Sequence, residues 1–137
     1  MMTILVKTFK ELNTVELYDI LQLRSEVFVV EQGCVYQDLD GKDEKALHVI
    51  GIKNNKVVAY TRIFKSGIYF NEASIGRVVV RSSERKYGYG NILMKASINA
   101  IFEHYNETKI RISAQKYLLK FYKSLGFKEE GEEYLED

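Results

Sequence analysis

Apolar and polar positions divide this chain into alternating strand-like and helix-like segments. Residues 2–9 are β-branched and apolar enough for a first strand. Asn13 followed by Glu16 has the spacing of a capping box, and an apolar stripe at helical spacing follows at Leu17, Ile20, Leu21, Arg24, Val27 and Phe28. Gly33 ends that stripe, and residues 34–44 read as a polar, acidic loop. Residues 47–52 and 57–64 read as strands joined by Lys53-Asn54-Asn55-Lys56, whose central asparagines tolerate the positive φ of a tight hairpin turn. Residues 68–70 either extend this meander or form a short turn. Residues 74–80 form a strongly β-branched strand, and Gly88 and Gly90 open a second helix with Ile92, Leu93, Ala96, Ile98 and Ala100 to Phe102 as its apolar positions. A strand over 108–114 and a short helix over 118–125 come next, with Gly126 as that helix's C′ residue. A last strand is expected around 128–134. The pattern predicts an α/β fold on a mixed sheet, with antiparallel pairs in the first half and a βαβ unit in the second.

Composition narrows the class. A chain of 137 residues, 46% hydrophobic and 28% charged, has the makings of one globular domain, here residues 1–137. A formal net charge of +1 gives no general field for nucleic acid. One cysteine, Cys34, and no Cys/His cluster argue against a disulfide framework or a zinc site, and Cys34 is expected to be inert. No apolar run approaches membrane-spanning length and no signal peptide is recognised, so a cytoplasmic protein without membrane attachment is expected.

The chemistry concentrates between Val78 and Asn91. A buried strand, Val78-Val79-Val80, runs into a basic loop, and two glycines stand at the start of a long helix. Free N–H groups at a helix N-terminus, with its dipole, make an anion site, and glycines let a diphosphate approach the backbone. Arg85 and Lys86 add formal charge there. The bland alternative is a solvated basic loop before a helix. The three spaced glycines of a dinucleotide fingerprint and the Gly-Lys-Ser/Thr of a P-loop are both missing.

Arg85-x-x-Gly88-x-Gly90 after a valine-rich strand resembles the acyl-CoA signature of the GNAT superfamily of N-acetyltransferases. Ala114-Gln115 and the run Phe121-Tyr122-Lys123-Ser124-Leu125-Gly126-Phe127 resemble the same superfamily's last helix. Residues 23–32, then Tyr36-Gln37-Asp38-Leu39-Asp40, His48-Val49-Ile50-Gly51 and Ile75-Gly76-Arg77-Val78 are similar to its ElaA-like branch. The resemblance covers nearly the whole chain, in order. Chains of that branch typically continue past the position of Asp137 into a final strand, which is expected to be missing from these residues and would leave the edge of strand 128–134 bare.

The resemblance implies a mostly antiparallel sheet flanked by helices. It also implies direct attack of an amine on the thioester of acetyl-CoA, as co-substrate, without a covalent enzyme intermediate. It places the oxyanion donors and the pantetheine arm along the backbone of Val78, Val79 and Val80. The phosphates fall at Arg85, Lys86, Tyr87, Gly88, Tyr89, Gly90 and Asn91, with Gln115 nearby. Tyr122 falls at the general-acid position, where a phenol can protonate the leaving thiolate. For binding or deprotonating the amine the candidates are Glu26, Glu31, Asp38, Asp40 and His48, each of which also reads as an ordinary surface or structural residue. Arg24 lies on the apolar stripe, and a buried guanidinium needs a partner. It serves either as a clamp to the Asp38/Asp40 loop or as a substrate contact. The acceptor is expected to be a small molecule or an exposed amino group, and a homodimer through sheet edges or terminal strands is left open. Two other functions stay open: a non-catalytic CoA-binding or interaction module, and an autoinducer-synthase-like acyltransferase, the latter disfavoured by the shortness of the chain and the absence of tryptophan.

Overall fold

The computed structural model describes residues 1–112 of the chain. Gln115, Tyr122, the helix expected over 118–125 and the strand expected around 128–134 lie outside the described residues. The elements in chain order are β1 (Thr3–Thr8), α1 (Thr14–Arg24), β2 (Leu47–Lys53), β3 (Lys56–Phe64), β4 (Ala73–Val80), α2 (Tyr89–Tyr105) and β5 (Ile110–Ile112). The five strands form one sheet in the order β1-β2-β3-β4-β5. Neighbours are antiparallel up to β4, and β4 and β5 are parallel across the α2 crossover. This is the mixed, mostly antiparallel sheet that the sequence predicts.

Local chemistry explains the element boundaries. Asn13 Oδ1 accepts the Glu16 N–H at 2.7 Å while Glu16 Oε1 accepts the Asn13 N–H at 3.0 Å, so the capping box at the start of α1 closes in both directions. Asn54 and Asn55 turn the β2–β3 hairpin with φ of 53° and 64°. Residues 65–72 turn rather than extend the meander, closed by the Gly67 N–H on the Phe70 carbonyl at 2.8 Å.

The end of α1 departs from the regular helix that the stripe predicts. Ser25–Glu31 is a π-helix, in which the N–H groups of Gln32 and Cys34 reach back five residues to the carbonyls of Val27 and Val29 at 3.2 and 3.1 Å. Such turns are rare and cluster at functional sites.

The strand alternation splits the core in two. On one face Leu47, Val49, Ala59, Ile63, Ala73 and Ile75 pack under Leu93, Met94, Ala100 and Ile101 of α2. Ser97 of α2 is buried there too, donating to the Leu93 carbonyl at 2.8 Å and bonded to Thr61 Oγ1 at 2.7 Å. On the other face Ile50, Val57, Tyr60 and Val79 pack under Ile20, Leu23, Val27 and Phe28. Among the described residues no helix is long and apolar enough to cross a membrane.

Candidate active site

β4 carries the irregularity around which the site is built. Tyr60 stands opposite Val79 and Arg62 opposite Gly76, so two steps along β3 match three along β4. The extra residue makes a β-bulge, and within it Arg77 takes a left-handed φ of 50°. A non-glycine residue held there carries about 1–3 kcal/mol of strain. β5 pairs only with Ala73 to Ile75. Among the described residues nothing pairs with 76–80 on the side away from β3.

The direction of the main-chain groups along that open edge follows from one hydrogen bond. Arg81 N–H donates to the Val58 carbonyl at 2.8 Å, with Ala59 opposite Val80. Ala59 and Val80 are therefore a non-hydrogen-bonded pair, and Val80's N–H and C=O turn away from β3. By alternation Val79's groups face β3 and those of Val78 face the open side. Val79 contributes its side chain to the α1 cluster instead.

Past the edge, Ser82–Tyr87 forms a 3-10 turn that ends at Gly88, whose φ of 73° starts α2. No side chain caps this helix. Its first N–H groups, from Tyr89 to Asn91, have no acceptor within the helix. A Cβ built at Gly88 would meet nothing within 4 Å, so the backbone is open to a ligand. Arg85 lies between loop and helix: its Nε donates to the outward Val80 carbonyl at 2.9 Å, and its Nη atoms grip Glu31 at 2.6 and 3.0 Å. That guanidinium holds the Glu31 carboxyl below its usual range. Arg81 reaches Glu26 at 3.4 Å, so both π-helix carboxylates face the loop. Lys53, paired with Glu84 at 2.8 Å, covers the Tyr87 ring at 4.2 Å. Lys86 and Asn91 are exposed, whereas Tyr89 is buried.

Beside the bulge lies a buried ionic cluster of three arginines and three aspartates. Arg24 is fully buried and binds Asp38 at 2.9 Å and Asp43 at 2.8 Å. Arg62, also fully buried, binds Asp40 and Asp43. Arg77 binds Asp38 Oδ1 at 2.8 Å and the Asp38 carbonyl at 3.0 Å. The Arg62 guanidinium holds the Asp40 carboxyl far below the ordinary range. Burial works to raise Asp43, but Arg24 and Arg62 outweigh it and hold it low. His48 closes the cluster on the β2 side. Its Nε2 lies 3.0 Å from the Asp43 carbonyl, which can only accept, so Nε2 carries the proton. The bare Nδ1 then accepts from the Tyr60 phenol at 2.5 Å. Burial pushes His48 down and Tyr60 up, which keeps both neutral.

A family model described as an acetyltransferase (GNAT) domain matches residues 12–137. The chain belongs to the GNAT acetyltransferase family. ElaA of Escherichia coli (strain K12) is 42% identical over 129 residues, covering 93% of this chain and 84% of that protein. An acyl-CoA N-acyltransferase from Pseudomonas aeruginosa superposes with a TM-score of 0.87 at 36% identity, over 93% of this chain and 88% of that one. The crystal structure of E. coli ElaA gives 0.86 at 37%, over 96% and 95%. The protein is thus an ElaA-like GNAT acyltransferase, and acyl-CoA-dependent acetyl transfer is its class of reaction.

In this GNAT enzyme the predicted cofactor residues from Val78 to Asn91 do come together, as one strand edge leading into one helix N-terminus. The amine-side candidates do not share one environment. Arg24, with no exposed surface and its donors on Asp38 and Asp43, is seated as the clamp rather than as a substrate contact. Asp38 and Asp40 are taken up by arginines, while Glu31 stands apart, on Arg85 of the Ser82–Tyr87 turn. Arg62, Arg77 and Asp43 were not singled out as site residues from sequence. Arg62 carried a usable signal: it alternates with Tyr60 and Phe64 in an apolar strand, which puts a charge on an inward face. The position of Arg77 follows from the bulge, which leaves no mark in the sequence.

Proposed function

We propose that this enzyme transfers the acetyl group of acetyl-CoA directly to the primary amine of a small molecule or exposed amino group. The observation that carries the reading is the open edge of β4 running into the uncapped N-terminus of α2. The outward groups of Val78 and the outward N–H of Val80, whose carbonyl Arg85 already holds, suit the amide-bearing arm of the cofactor, and the N–H groups of Tyr89 to Asn91, with Arg85 and Lys86, suit its phosphates.

The amine lone pair adds to the thioester carbonyl carbon, and the negative charge that develops on oxygen is met by an outward N–H of the Val78–Val80 edge. Collapse breaks the C–S bond, and the leaving sulfur takes a proton from a general acid. The family resemblance assigns that acid to Tyr122. The amine must arrive neutral, and of the five candidate bases Asp38, Asp40 and His48 already spend their basic atoms inside the cluster. Glu26, half-buried and held by Arg81 only at 3.4 Å, is the least committed carboxylate. Within the acidic loop Asp38, Asp40 and Asp43 are already paired with Arg24, Arg62 and Arg77.

The test is thermal unfolding with acetyl-CoA, with NAD and ATP as controls, followed by thiol release over a panel of amines. Ligand at about 100 times Kd stabilises by about 2.7 kcal/mol, a shift of several degrees. A shift with acetyl-CoA alone, together with thiol release that Tyr122→Phe lowers about ten-fold or more, is the expected result. Binding without thiol release would leave a cofactor-binding module, and no shift at millimolar ligand would overturn the cofactor assignment.

A further inference from the structure

Among the described residues Arg77 is the only one besides asparagine and glycine with a positive φ. Asparagine tolerates that region because its short amide bonds locally to the backbone; arginine has no such local compensation. Something else must hold it there, and the structure shows what. The Arg77 side chain is only 13% exposed, and Asp38 engages it twice, through Oδ1 at 2.8 Å and through its carbonyl at 3.0 Å. Asp40 adds a longer contact at 3.6 Å. Asp38 is itself fixed from the other side by the fully buried Arg24, at the end of α1. A chain of charge pairs therefore runs from α1 through the 38–43 loop to the one backbone position that sets the direction of Val78 to Val80.

The cost of losing this link falls on the backbone. Without the guanidinium contact, the strained left-handed residue gains by relaxing to ordinary extended geometry. That relaxation removes the bulge and shifts the pairing of β4 by one residue, which reverses the side to which each main-chain group points. Val78 and Val80 would then direct their N–H groups into β3, and Val79 would direct its own outward.

We propose that Arg77, gripped by Asp38, is a positioning residue that locks the β4 bulge and thereby aims the Val78–Val80 backbone at the reacting thioester. This rests on the acetyl-transfer reading above. It makes the amine-side loop a structural determinant of the oxyanion donor without any contact with the cofactor's phosphates, which lie beyond residue 81.

Arg77→Ala is the decisive variant, because it removes the grip but keeps the Cβ that makes the left-handed φ costly, so the strain that drives the relaxation remains. Asp38→Asn keeps the shape and tests the same contact from its other end. The expected result is a kcat reduced by about ten- to a hundred-fold, the scale of a misplaced catalytic group. Acetyl-CoA affinity should stay within about two-fold and the double variant should be no worse than the poorer single one, as for groups acting as a unit. Backbone amide NMR shifts of Val78 to Val80 in the same variants report the bulge directly, without turnover. They should move in both. Wild-type kcat with unmoved Val78–Val80 shifts in either folded variant would overturn the proposal, as would a loss of cofactor affinity equal to the loss of kcat. If the wild-type enzyme showed neither binding nor thiol release, the acetyl-transfer reading would fail, and the amide shifts would still decide whether Arg77 holds the bulge.

Discussion

Arg24 has surrendered all its water to sit between Asp38 and Asp43, and the consequence is asymmetric. Replacing a buried ion pair with apolar groups of similar size is often neutral, whereas removing one partner strands the other charge. Among the described residues Arg24→Ala leaves Arg77 as the one cation on Asp38, beside the Tyr36 hydroxyl at 3.5 Å, and Arg62 as the one cation on Asp43. Urea unfolding should show a loss of about 3–5 kcal/mol, while Arg24→Met, which fills the space but strands the same carboxylates, should recover little of it. A loss below about 1 kcal/mol would mean that the loop carboxylates find water easily and that the cluster is less closed than its burial shows. Two buried polar atoms, Arg62 Nε and Ser74 Oγ, have no hydrogen-bond partner among the described residues, so the cluster's own geometry leaves one arginine donor unused.

At the scale of elements, the π-helical end of α1 explains why two glutamates five residues apart serve one loop. In an α-helix residues five apart diverge by about 140° around the axis, from 3.6 residues per turn. The five-residue bonds of Ser25–Glu31 bring them back into line, and Glu26 and Glu31 meet Arg81 and Arg85 together. Glu31 also neutralises the arginine nearest the proposed phosphate site. Glu31→Gln should therefore tighten acetyl-CoA binding by up to about five-fold, from the roughly 0.2–1 kcal/mol of an exposed ion pair. Isothermal titration at low salt would check it, and unchanged or weaker binding would show that Glu31 orients Arg85 rather than competing for it. The capping box at Asn13, the Asn54-Asn55 hairpin and the Gly88 helix start were legible in the sequence because each is decided within a few residues. The π-turn and the bulge were not, because each inserts one residue into a regular pattern and is selected by contacts far along the chain: Arg77 and Asp38 are 39 residues apart. For the same reason the stripe of α1 identified Arg24 as a buried charge but could not show that Asp43, not Asp40, would be its second partner.

The molecule as a whole should lose stability to acid in two stages. His48 has a folded pKa below its ordinary 6.5, so as pH falls past that value the unfolded chain takes up a proton that the folded chain refuses, and stability declines. Asp40 and Asp43 are depressed from 3.8, so their contribution is complete above that value and is lost as pH falls through their lower folded values. Urea midpoints measured from pH 8 to pH 3 should fall gently below about 6.5 and steeply below about 4. His48→Gln should remove the first stage only, and an unchanged first stage would place its origin outside this histidine. The bulge bears on the molecule in one more respect. A strand with an unpaired edge is an invitation to any other chain in an extended conformation, most of all while a protein is still folding. From Ala73 to Ile75 that edge of β4 is covered by β5, and directly beyond it Arg77 breaks the regular spacing of donors and acceptors that a foreign strand would need. The same left-handed arginine that interrupts the pairing of β4 with β3 makes the open edge a poor template for aggregation.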